Sequence, residues 1–394
     1  MSNAGSSGRF DLVVVGLGAM GSAALYHAAK DGLRVLGIDR YDPPHTFGSS
    51  HAETRITRLA VGEGEQYLPF VARSHEIWRD LERQTGWELL YQPGGYVITP
   101  ASPTEDERWG GFVHRTADVA QLAGVDFELR TPEEVSAHLP PMVLDGSESI
   151  GFEPSGGIVM CERAITIQLR LAEAAGAQVL RNTVVHRVIP HSSGHVVIEA
   201  GSSVYEAEKV IVATGAWLNE LAPREHSDAL TVTRQVVFWF DVDDPEVFSA
   251  THFPFVLWAG QTIADYSAVF PMPARGRPGL KVLGEQFHET TTAESVDRTV
   301  RQGEADEFYE RLVAPRLRGV RSTIVDTAVC LYTSTVDDHF LIGFHPESSQ
   351  ILLASPCSGH GFKHSTALGE AMIAKMFGTE VGLDLSAFAR KPAP

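Results

Sequence analysis

The feature that most constrains the fold is a glycine-rich turn between a short apolar strand and a helix. Residues 10–15 form a β-branched apolar run typical of a buried parallel strand, and Gly-Leu-Gly-Ala-Met-Gly follows at 16–21. Small residues then continue at helical spacing, a second apolar run covers 34–38, and Asp39 comes directly after it. A strand, a glycine turn, a helix, a strand and an acid within about 30 residues predict a βαβ unit that binds a dinucleotide.

Each glycine of this turn has a separate expected task. Gly16 permits the tight turn, Gly18 lets the backbone approach a pyrophosphate, and Gly21 lets the helix and strand pack closely. The pyrophosphate would lie at the helix N-terminus, where N–H groups without intrahelical partners favour an anion. Asp39 would accept a hydrogen bond from a ribose hydroxyl. A glycine-rich turn of another kind needs no acid at this position, so Asp39 favours dinucleotide binding.

The rest of the chain favours FAD over a nicotinamide cofactor. A nicotinamide dehydrogenase normally continues at once with further βα units, whereas here a polar stretch follows at 43–58. A second strand and turn appears only at 209–217, Lys-Val-Ile-Val-Ala-Thr-Gly-Ala-Trp. A strand, Ala-Thr-Gly and a helix start is how many FAD proteins bring the chain back to the cofactor. We therefore predict FAD.

Composition and charge argue against several other classes of protein. The 394 residues carry 32 Lys and Arg against 50 Asp and Glu, and the net charge of −18 disfavours binding to nucleic acid. No run approaches the roughly 18 apolar residues of a membrane span, and the absence of signal-peptide features predicts a cytoplasmic protein. Three cysteines cannot form a disulfide framework. His360 and His364 have no acidic third ligand nearby in sequence, so no metal site is predicted.

The predicted fold class is α/β, with a discontinuous Rossmann-like FAD-binding domain and an inserted antiparallel-sheet substrate domain. The middle of the chain, for example 230–240, has the β-branched and aromatic content of strands. The predicted FAD-binding segments are 9–90, 151–225 and 323–394. The predicted substrate-domain segments are 91–150 and 226–322.

Several separated motifs together resemble one family. They are 16–21 with Asp39, Gly-Ser-Ser-His-Ala-Glu-Thr-Arg-Ile-Thr-Arg at 48–58, Ala-Val-Cys-Leu-Tyr-Thr at 328–333, Asp-His-Phe-Leu-Ile at 338–342, and Ser-Gly-His-Gly-Phe-Lys at 358–363. From about residue 10 to 390, in collinear order, the chain is similar to the monomeric sarcosine oxidase and N-methyltryptophan oxidase family. Members of this family are flavoprotein amine oxidases that carry covalently bound FAD.

The resemblance implies a set of residues around the cofactor. Cys330 matches the cysteine that the family joins to the flavin through a thioether, although composition alone would make it a small buried hydrophobic residue. A thiolate is the required nucleophile, so positive charge is expected nearby. The implied FAD-binding residues are Gly16, Gly18, Met20, Gly21, Asp39, Arg40, Ser49, Thr54, Arg55, Val185, Gly215, Trp217, Cys330, Gly359, Gly361, Phe362 and Lys363.

The resemblance also implies roles in substrate binding and oxygen reduction. Arg58 and Lys363 would hold the substrate carboxylate, as a planar fork and a point charge. Lys281, Arg55 and His51 would lie by the flavin, where a fixed cation stabilises the negative charge that develops on oxygen. Arg55 and Arg58 are three residues apart, so they would project to one side if this stretch is helical.

The chain departs from the family pattern at positions expected to line the substrate pocket. Cys357 replaces the aromatic residue before Ser-Gly-His-Gly-Phe-Lys, and Ala268 stands where a tyrosine is expected. The histidine expected after the family lysine is replaced by Glu285 or Gln286. The family's His-His-Gly-Asp-Thr-Arg is Ser-His-Ala-Glu-Thr-Arg at 50–55. A wider pocket is expected, and with it an N-substituted amino acid bulkier than sarcosine.

The implied activity is that of an FAD-dependent oxidase of a carboxylate-bearing secondary amine. A hydride equivalent passes from the carbon next to nitrogen to the flavin, water hydrolyses the imine, and oxygen is reduced to hydrogen peroxide. The implied partners are a small-molecule amine and oxygen, with no nucleic acid or membrane, and the chain would be a monomer. Two alternatives stay open. One is an oxidase of the Cα–N bond of a primary or cyclic amino acid, and the other is a non-catalytic FAD-binding module.

Overall fold

The chain divides into two compact units, each built from separated segments. The computed structural model describes residues 9–102, 108–263, 265–301 and 303–389, so the last residues of the predicted segment 323–394 lie outside the description. The first unit comprises the chain up to His51, Glu162–Val232 and the chain from Tyr332. The second comprises Ala52–Cys161 and Thr233–Leu331.

Helices and strands alternate irregularly along the chain. Over the described residues the helices are α1 (Ala19–Lys30), α2 (Leu68–Thr85), α3 (Phe112–Ala123), α4 (Pro132–His138), α5 (Cys161–Ala174), α6 (Leu218–Leu221), α7 (Arg224–Ser227), α8 (Glu304–Phe308) and α9 (Ser365–Phe377). The strands in the same residues are β1 (Phe10–Val15), β2 (Val35–Ile38), β3 (Thr54–Thr57), β4 (Leu90–Tyr91), β5 (Gly95–Pro100), β6 (Glu128–Arg130), β7 (Glu148–Glu153), β8 (Gly157–Met160), β9 (Gln178–Leu180), β10 (Val185–His191), β11 (His195–Ala200), β12 (Ser203–Val212), β13 (Leu230–Val242), β14 (Phe255–Ile263), β15 (Tyr266–Pro273), β16 (Leu280–Glu285), β17 (Thr290–Thr291), β18 (Val320–Thr335), β19 (Leu341–His345) and β20 (Ser348–Ser355).

A sheet with a parallel centre organises the first unit. Its order is β10-β11-β12-β1-β2-β9, with β20 beside β12 and β19 beside β20. The pairs β1·β2, β1·β12, β2·β9 and β12·β20 are parallel. Val13 and Val14 on β1 are both fully buried, which explains why this strand is apolar without alternation. The predicted α/β class and its Rossmann-like βαβ start are therefore confirmed.

Two helices from opposite ends of the chain pack closely in this unit. Helix α1 is rich in small residues, and Ala23, Ala24 and Ala28 are fully buried. A Cβ at Gly369 of α9 would come within 2.5 Å of the Ala23 Cβ. The small residues therefore let the two helix backbones approach each other.

The second unit is built on a nine-stranded, mainly antiparallel sheet. Its order is β17-β13-β16-β15-β14-β5-β7-β6, with β18 beside β13, and β14·β5 is a parallel pair. Trp239, Lys281 and Met272 are partners in register across β13, β16 and β15, so their side chains lie on one face. Phe238 points the other way, with its ring 4.7 Å from that of Phe308. The predicted antiparallel sheet is therefore present.

The segment boundaries follow from long-range strand pairing. β3 pairs with β8 and β4 in a small three-stranded sheet, so residues 52–90 cluster with the second unit. Residues 151–161 join the same unit, and so does the first part of β18, which pairs with β13. The assignment of these segments to cofactor or substrate stays a prediction.

Candidate active site

The glycine turn brings separate stretches of backbone into close contact. Gly16 has φ of +85°, and a Cβ there would lie 2.7 Å from the Ala213 carbonyl oxygen. A Cβ at Gly21 would collide with the Gly16 carbonyl, so the helix packs directly against the turn. Gly18 caps α1 in an extended conformation without a side-chain hydrogen bond. The Ala19 N–H donates to the Ser50 hydroxyl at 3.2 Å, and the first turn of a helix has further N–H groups without intrahelical partners, which a pyrophosphate requires.

Asp39 directly follows β2, and its side chain holds the glycine turn through a hydrogen bond. The carboxylate is buried, with Oδ2 accepting the Leu17 N–H at 2.7 Å and Oδ1 accepting the Tyr41 N–H at 2.8 Å. Each oxygen has a second lone pair, so the carboxylate is able to accept from a ribose hydroxyl as well. Its bracing role has no signal in the local sequence.

Other predicted cofactor residues of the first unit lie in its turns and loops. The guanidinium carbon of Arg40 lies 5.3 Å from the Trp217 ring centroid, and Arg40 also pairs with Glu220 at 2.8 Å. Gly215 has φ of +56° and begins the 3₁₀ turn that carries Trp217. The remaining residues of this group are Met20 on α1, Ser49 and His51 at the end of the first segment, and Val185 at the start of β10.

The motif at 358–363 forms a tight turn ahead of α9. Gly359 has φ of +77°, and a Cβ at Gly361 would collide with the Pro356 carbonyl oxygen. Phe362 begins a 3₁₀ turn that places Lys363 in a buried position, with Nζ donating to the His360 carbonyl at 2.9 Å. The glycines are therefore required by the backbone path.

A cluster of charged groups lies in the second unit around Lys281. This side chain is only 1% exposed, and its ammonium donates to the carbonyls of Ala52 and Thr54, both at 2.7 Å, and to the Thr54 hydroxyl at 3.2 Å. Arg55 Nη1 donates to the same Thr54 carbonyl at 2.7 Å. Arg55 Nη2 also lies 3.9 Å from the Cys330 sulfur. The structure thus brings Lys281, Thr54, Arg55 and Cys330 together.

Cys330 occupies a buried position on β18. It packs with Ala52, Val237 and Trp239, which lie on the same side of the sheet as Lys281. The Arg55 guanidinium beside the sulfur favours the thiolate over the thiol. The positive charge expected near this cysteine is therefore present.

The condition under which Arg55 and Arg58 would project to one side is not met, because Thr54–Thr57 is a strand rather than a helical turn. Strand pairing with β8 overrides the local spacing, and side chains three apart on a strand point to opposite faces. Arg58 is 2% exposed, with Nη1 donating to the Ala60 carbonyl at 2.5 Å and Nη2 to Glu63 at 2.6 Å. Arg58 lies in the second unit and Lys363 in the first, so their joint role stays a prediction.

Sequence reasoning missed two acidic residues that hold Arg58, one directly and one through the backbone. Glu63 pairs with it directly, and the only available signal was opposite charge five residues away. Glu153 is buried and accepts the N–H groups of Leu59 at 2.7 Å and Ala60 at 3.0 Å. It therefore fixes the backbone whose carbonyl holds Arg58, across a separation of 93 residues that no local pattern reveals.

Glu285, rather than Gln286, shares the sheet face of Lys281. Every second residue of β16, at 281, 283 and 285, points to the same face of the sheet. Glu285 lies opposite Ala268 of β15. Its carboxylate is 3.4 Å from Arg108. Gln286 instead donates to the Arg234 carbonyl at the neighbouring strand.

The profile of the family described as FAD dependent oxidoreductase (DAO) matches residues 11–375. The chain belongs to this family. Its glycine turn, its helix without a side-chain cap and its buried acid fit the dinucleotide that the family name specifies. The cofactor predicted from sequence is therefore confirmed as FAD at the level of the family.

Curated relatives in this family cover nearly the whole chain. Monomeric sarcosine oxidase from Bacillus sp. (strain B-0618) is 34% identical over 98% of this chain and 97% of its own. N-methyl-L-tryptophan oxidase from Yersinia pestis (strain Pestoides F) is 32% identical over 96% of this chain and 98% of its own. The predicted resemblance is confirmed.

Solved structures show the same fold at lower identity. NikD, an unusual amino acid oxidase essential for nikkomycin biosynthesis, has a TM-score of 0.83 at 19% identity, covering 97% of both chains. Glycine oxidase from Geobacillus kaustophilus has a TM-score of 0.77 at 19% identity, covering 98% of this chain and 99% of its own. These neighbours place the chain in the fold of DAO-type oxidases.

The described residues contain neither a metal-binding cluster nor a membrane-spanning helix. None of their His, Cys, Asp and Glu side chains form a group of three or more placed to hold a metal ion. Within the same part of the chain, every helix is too short or too polar to cross a membrane.

Proposed function

We propose that this FAD-dependent oxidoreductase oxidises a carboxylate-bearing secondary amine, an N-methyl or other N-substituted amino acid. Bound FAD accepts a hydride equivalent from the carbon next to nitrogen and returns two electrons to oxygen as hydrogen peroxide. Water hydrolyses the resulting imine. The names of the relatives support this substrate class, and the buried cluster of Lys281, Arg55 and Cys330 is the observation that carries it.

Cys330 is proposed to hold FAD covalently through a thioether. Arg55 supports this role because its guanidinium lies 3.9 Å from the sulfur and favours the nucleophilic thiolate. The glycines of the turn at 16–21 and Asp39 would hold the pyrophosphate and ribose. The other residues named from the resemblance are proposed to line the same cofactor.

Lys281 is proposed to assist the reduction of oxygen, and Arg55 and His51 are proposed to take part in the same step. Its ammonium is held by three oxygen acceptors and is almost fully buried. A fixed cation in such a place stabilises the negative charge that develops on oxygen without needing to reorganise. The sharing of the Thr54 carbonyl by Lys281 and Arg55 concentrates positive charge there.

Arg58 and Lys363 are proposed to bind the substrate carboxylate. Arg58 is already paired with Glu63, so a substrate carboxylate has to share or replace that partner. The substrate is expected to react as the neutral amine, because only this form has the electron pair that drives hydride departure. Ala268 and Cys357 replace larger side chains of the family pattern, which supports a bulkier substituent than that of sarcosine.

The localisation, oligomeric state and partners of the enzyme are also proposed. We propose a cytoplasmic monomer without a nucleic-acid or membrane partner, supported by the net charge of −18 and by the name of the sarcosine oxidase relatives. Sedimentation at equilibrium should then give a single species near 42.8 kDa.

The function is tested by anaerobic mixing of the purified protein with a panel of amines while the flavin absorbance is followed. We expect N-methyl and other N-substituted amino acids to bleach the flavin, and the matching primary amino acids to leave it oxidised. Formaldehyde should form from an N-methyl substrate. A keto acid would instead show oxidation of the Cα–N bond of a primary or cyclic amino acid, and a flavin that no amine reduces would indicate a non-catalytic FAD-binding protein.

A further inference from the structure

The backbone at 52–54 is bent around the Lys281 ammonium. Ala52 and Glu53 have φ of +71° and +73°, which residues other than glycine rarely adopt, and here two occur in succession. This conformation directs the carbonyls of Ala52 and Thr54 onto the Lys281 Nζ at 2.7 Å each. Strained backbone of this kind persists only where the surrounding structure holds it in place.

The Glu53 carboxylate holds this segment to the connection between β15 and β16. It is 9% exposed and accepts the N–H of Arg275 at 3.0 Å and that of Gly276. A Cβ at Gly276 would lie 2.8 Å from the carboxylate oxygen, so a larger residue there would displace the carboxylate from its present position. Because β16 begins a few residues later, the carboxylate links 52–54 to the strand that carries Lys281.

Two positively charged side chains meet at one acceptor near Glu53. Lys281, which is almost fully buried, and Arg55, which is partly buried, both donate to the Thr54 carbonyl. Burial raises the pKa of Glu53, and the nearby charges of Lys281 and Arg277 oppose that shift. Glu53 stands between the two residues whose carbonyls bind the Lys281 ammonium, and its carboxylate is held at the connection that leads into β16.

Arg277 is the other cation near Glu53, and it has a separate carboxylate. Its Nε lies 2.9 Å from Asp326, and its guanidinium carbon lies 4.3 Å from the Trp239 ring centroid. Asp326 therefore balances Arg277, which leaves Glu53 to balance the positive charge of Lys281.

We propose that Glu53 is a positioning residue for Lys281, holding the carbonyls that bind the ammonium and supplying the counter-charge that fixes it for oxygen reduction. This inference rests on the proposed oxygen role of Lys281. Glu53→Gln removes the charge but keeps an oxygen that accepts the Arg275 and Gly276 N–H groups. This variant therefore separates electrostatic pairing from a purely structural clamp.

The pairing is tested by thermal unfolding at pH 7 of the wild type, Glu53→Gln, Lys281→Met and the double variant. Lys281→Met should lower Tm by at least about 2 °C more in the wild-type background than in the Glu53→Gln background. Only in the wild-type background does the substitution leave a buried carboxylate without its cation. An equal Tm change in both backgrounds would overturn the pairing. The exposed Glu128 of β6 provides a matched control, and Glu128→Gln should be additive with Lys281→Met. If Arg277 were the true partner of Glu53, the coupling would appear with Arg277→Gln instead.

The consequence for chemistry is tested by the reaction of chemically reduced flavin with oxygen, which needs no knowledge of the substrate. Glu53→Gln should slow this reaction about tenfold, Glu53→Asp should restore part of the rate, and reduction by an amine should change less than twofold. An unchanged oxygen reaction in Glu53→Gln would overturn the inference. If Lys281→Met also left that reaction unchanged, the proposed oxygen role of Lys281 would be wrong, while the unfolding cycle would still report on the pairing.

Discussion

Lys281 and Arg58 are both buried cations, yet their charges are balanced by different kinds of group. Lys281 has backbone carbonyls and a nearby carboxylate, whereas Arg58 has a direct ion pair with Glu63. A buried charge without such partners costs several kcal/mol, so each cation depends on the residues that surround it. The motifs identified both cations, but the partner of Lys281 depends on two residues in the left-handed region, which no motif predicted.

The residue-scale prediction concerns Cys330. In Cys330→Ala, acid denaturation should release the flavin into the supernatant, because the thioether to the polypeptide has no sulfur from which to form. The wild-type pellet should stay yellow. Cys161→Ala and Cys357→Ala are matched controls that should also keep the flavin in the pellet, and absorbance of both fractions is the measurement. A yellow pellet from Cys330→Ala would contradict the assignment.

At the scale of elements, strand pairing decided what local spacing left open. The residues 54–57 have a spacing compatible with a helical turn, but they pair with β8 and become β3. Helix α2 packs against this strand, and its His75 Nε2 lies 2.6 Å from the Thr57 hydroxyl. Helix α2 itself has apolar residues at helical spacing, and these form its buried face.

The α2–β3 contact predicts a pH dependence of stability. Burial, with a smaller effect of Arg79, lowers the pKa of His75 from 6.5 to about 4. Between these values the unfolded chain binds a proton that the folded chain does not, so stability falls as pH decreases. The expected loss from this group is about 2 kcal/mol between pH 7 and pH 5.

Urea unfolding at the two pH values measures this effect, with His75→Gln as the comparison. The variant should lose about 2 kcal/mol less than the wild type over the same range. Equal losses in both proteins would mean that His75 is not the group responsible.

At the scale of the whole molecule, the first unit is completed only when the last part of the chain is present. β20 pairs with β12, and α9 packs on α1, which lies more than 300 residues earlier in the sequence. The close approach of the helices depends on Gly369 facing Ala23. This contact explains the small residues of α1, which would otherwise suggest only weak helix packing.

Gly369→Val is therefore expected to be destabilising. The added side chain would overlap Ala23 and its backbone, and overpacking of this kind costs about 1–3 kcal/mol. Lys375→Val, at an exposed position of the same helix, carries the same β-branched residue without that overlap. Denaturant unfolding of both variants gives the comparison, and a similar loss in the control would mean that helix propensity rather than packing is responsible.

The sequence by itself determined the βαβ start, the α/β class and the family, because these depend on short motifs and on their order along the chain. The spacing of Gly16, Gly18, Gly21 and Asp39 is enough to predict a dinucleotide turn. Cys330 was found through the motif at 328–333, and Lys281 through the family resemblance that the motifs established.

Only the tertiary structure decided how those residues are held. Lys281 meets the Ala52 carbonyl across 229 residues, and Glu53 meets the Gly276 N–H across 223. Arg55 approaches Cys330 across 275 residues. Such contacts depend on which strands pair and on backbone φ values, and a local pattern contains neither. The residues that carry the chemistry are thus readable from the chain, while their partners follow from the packing of distant segments.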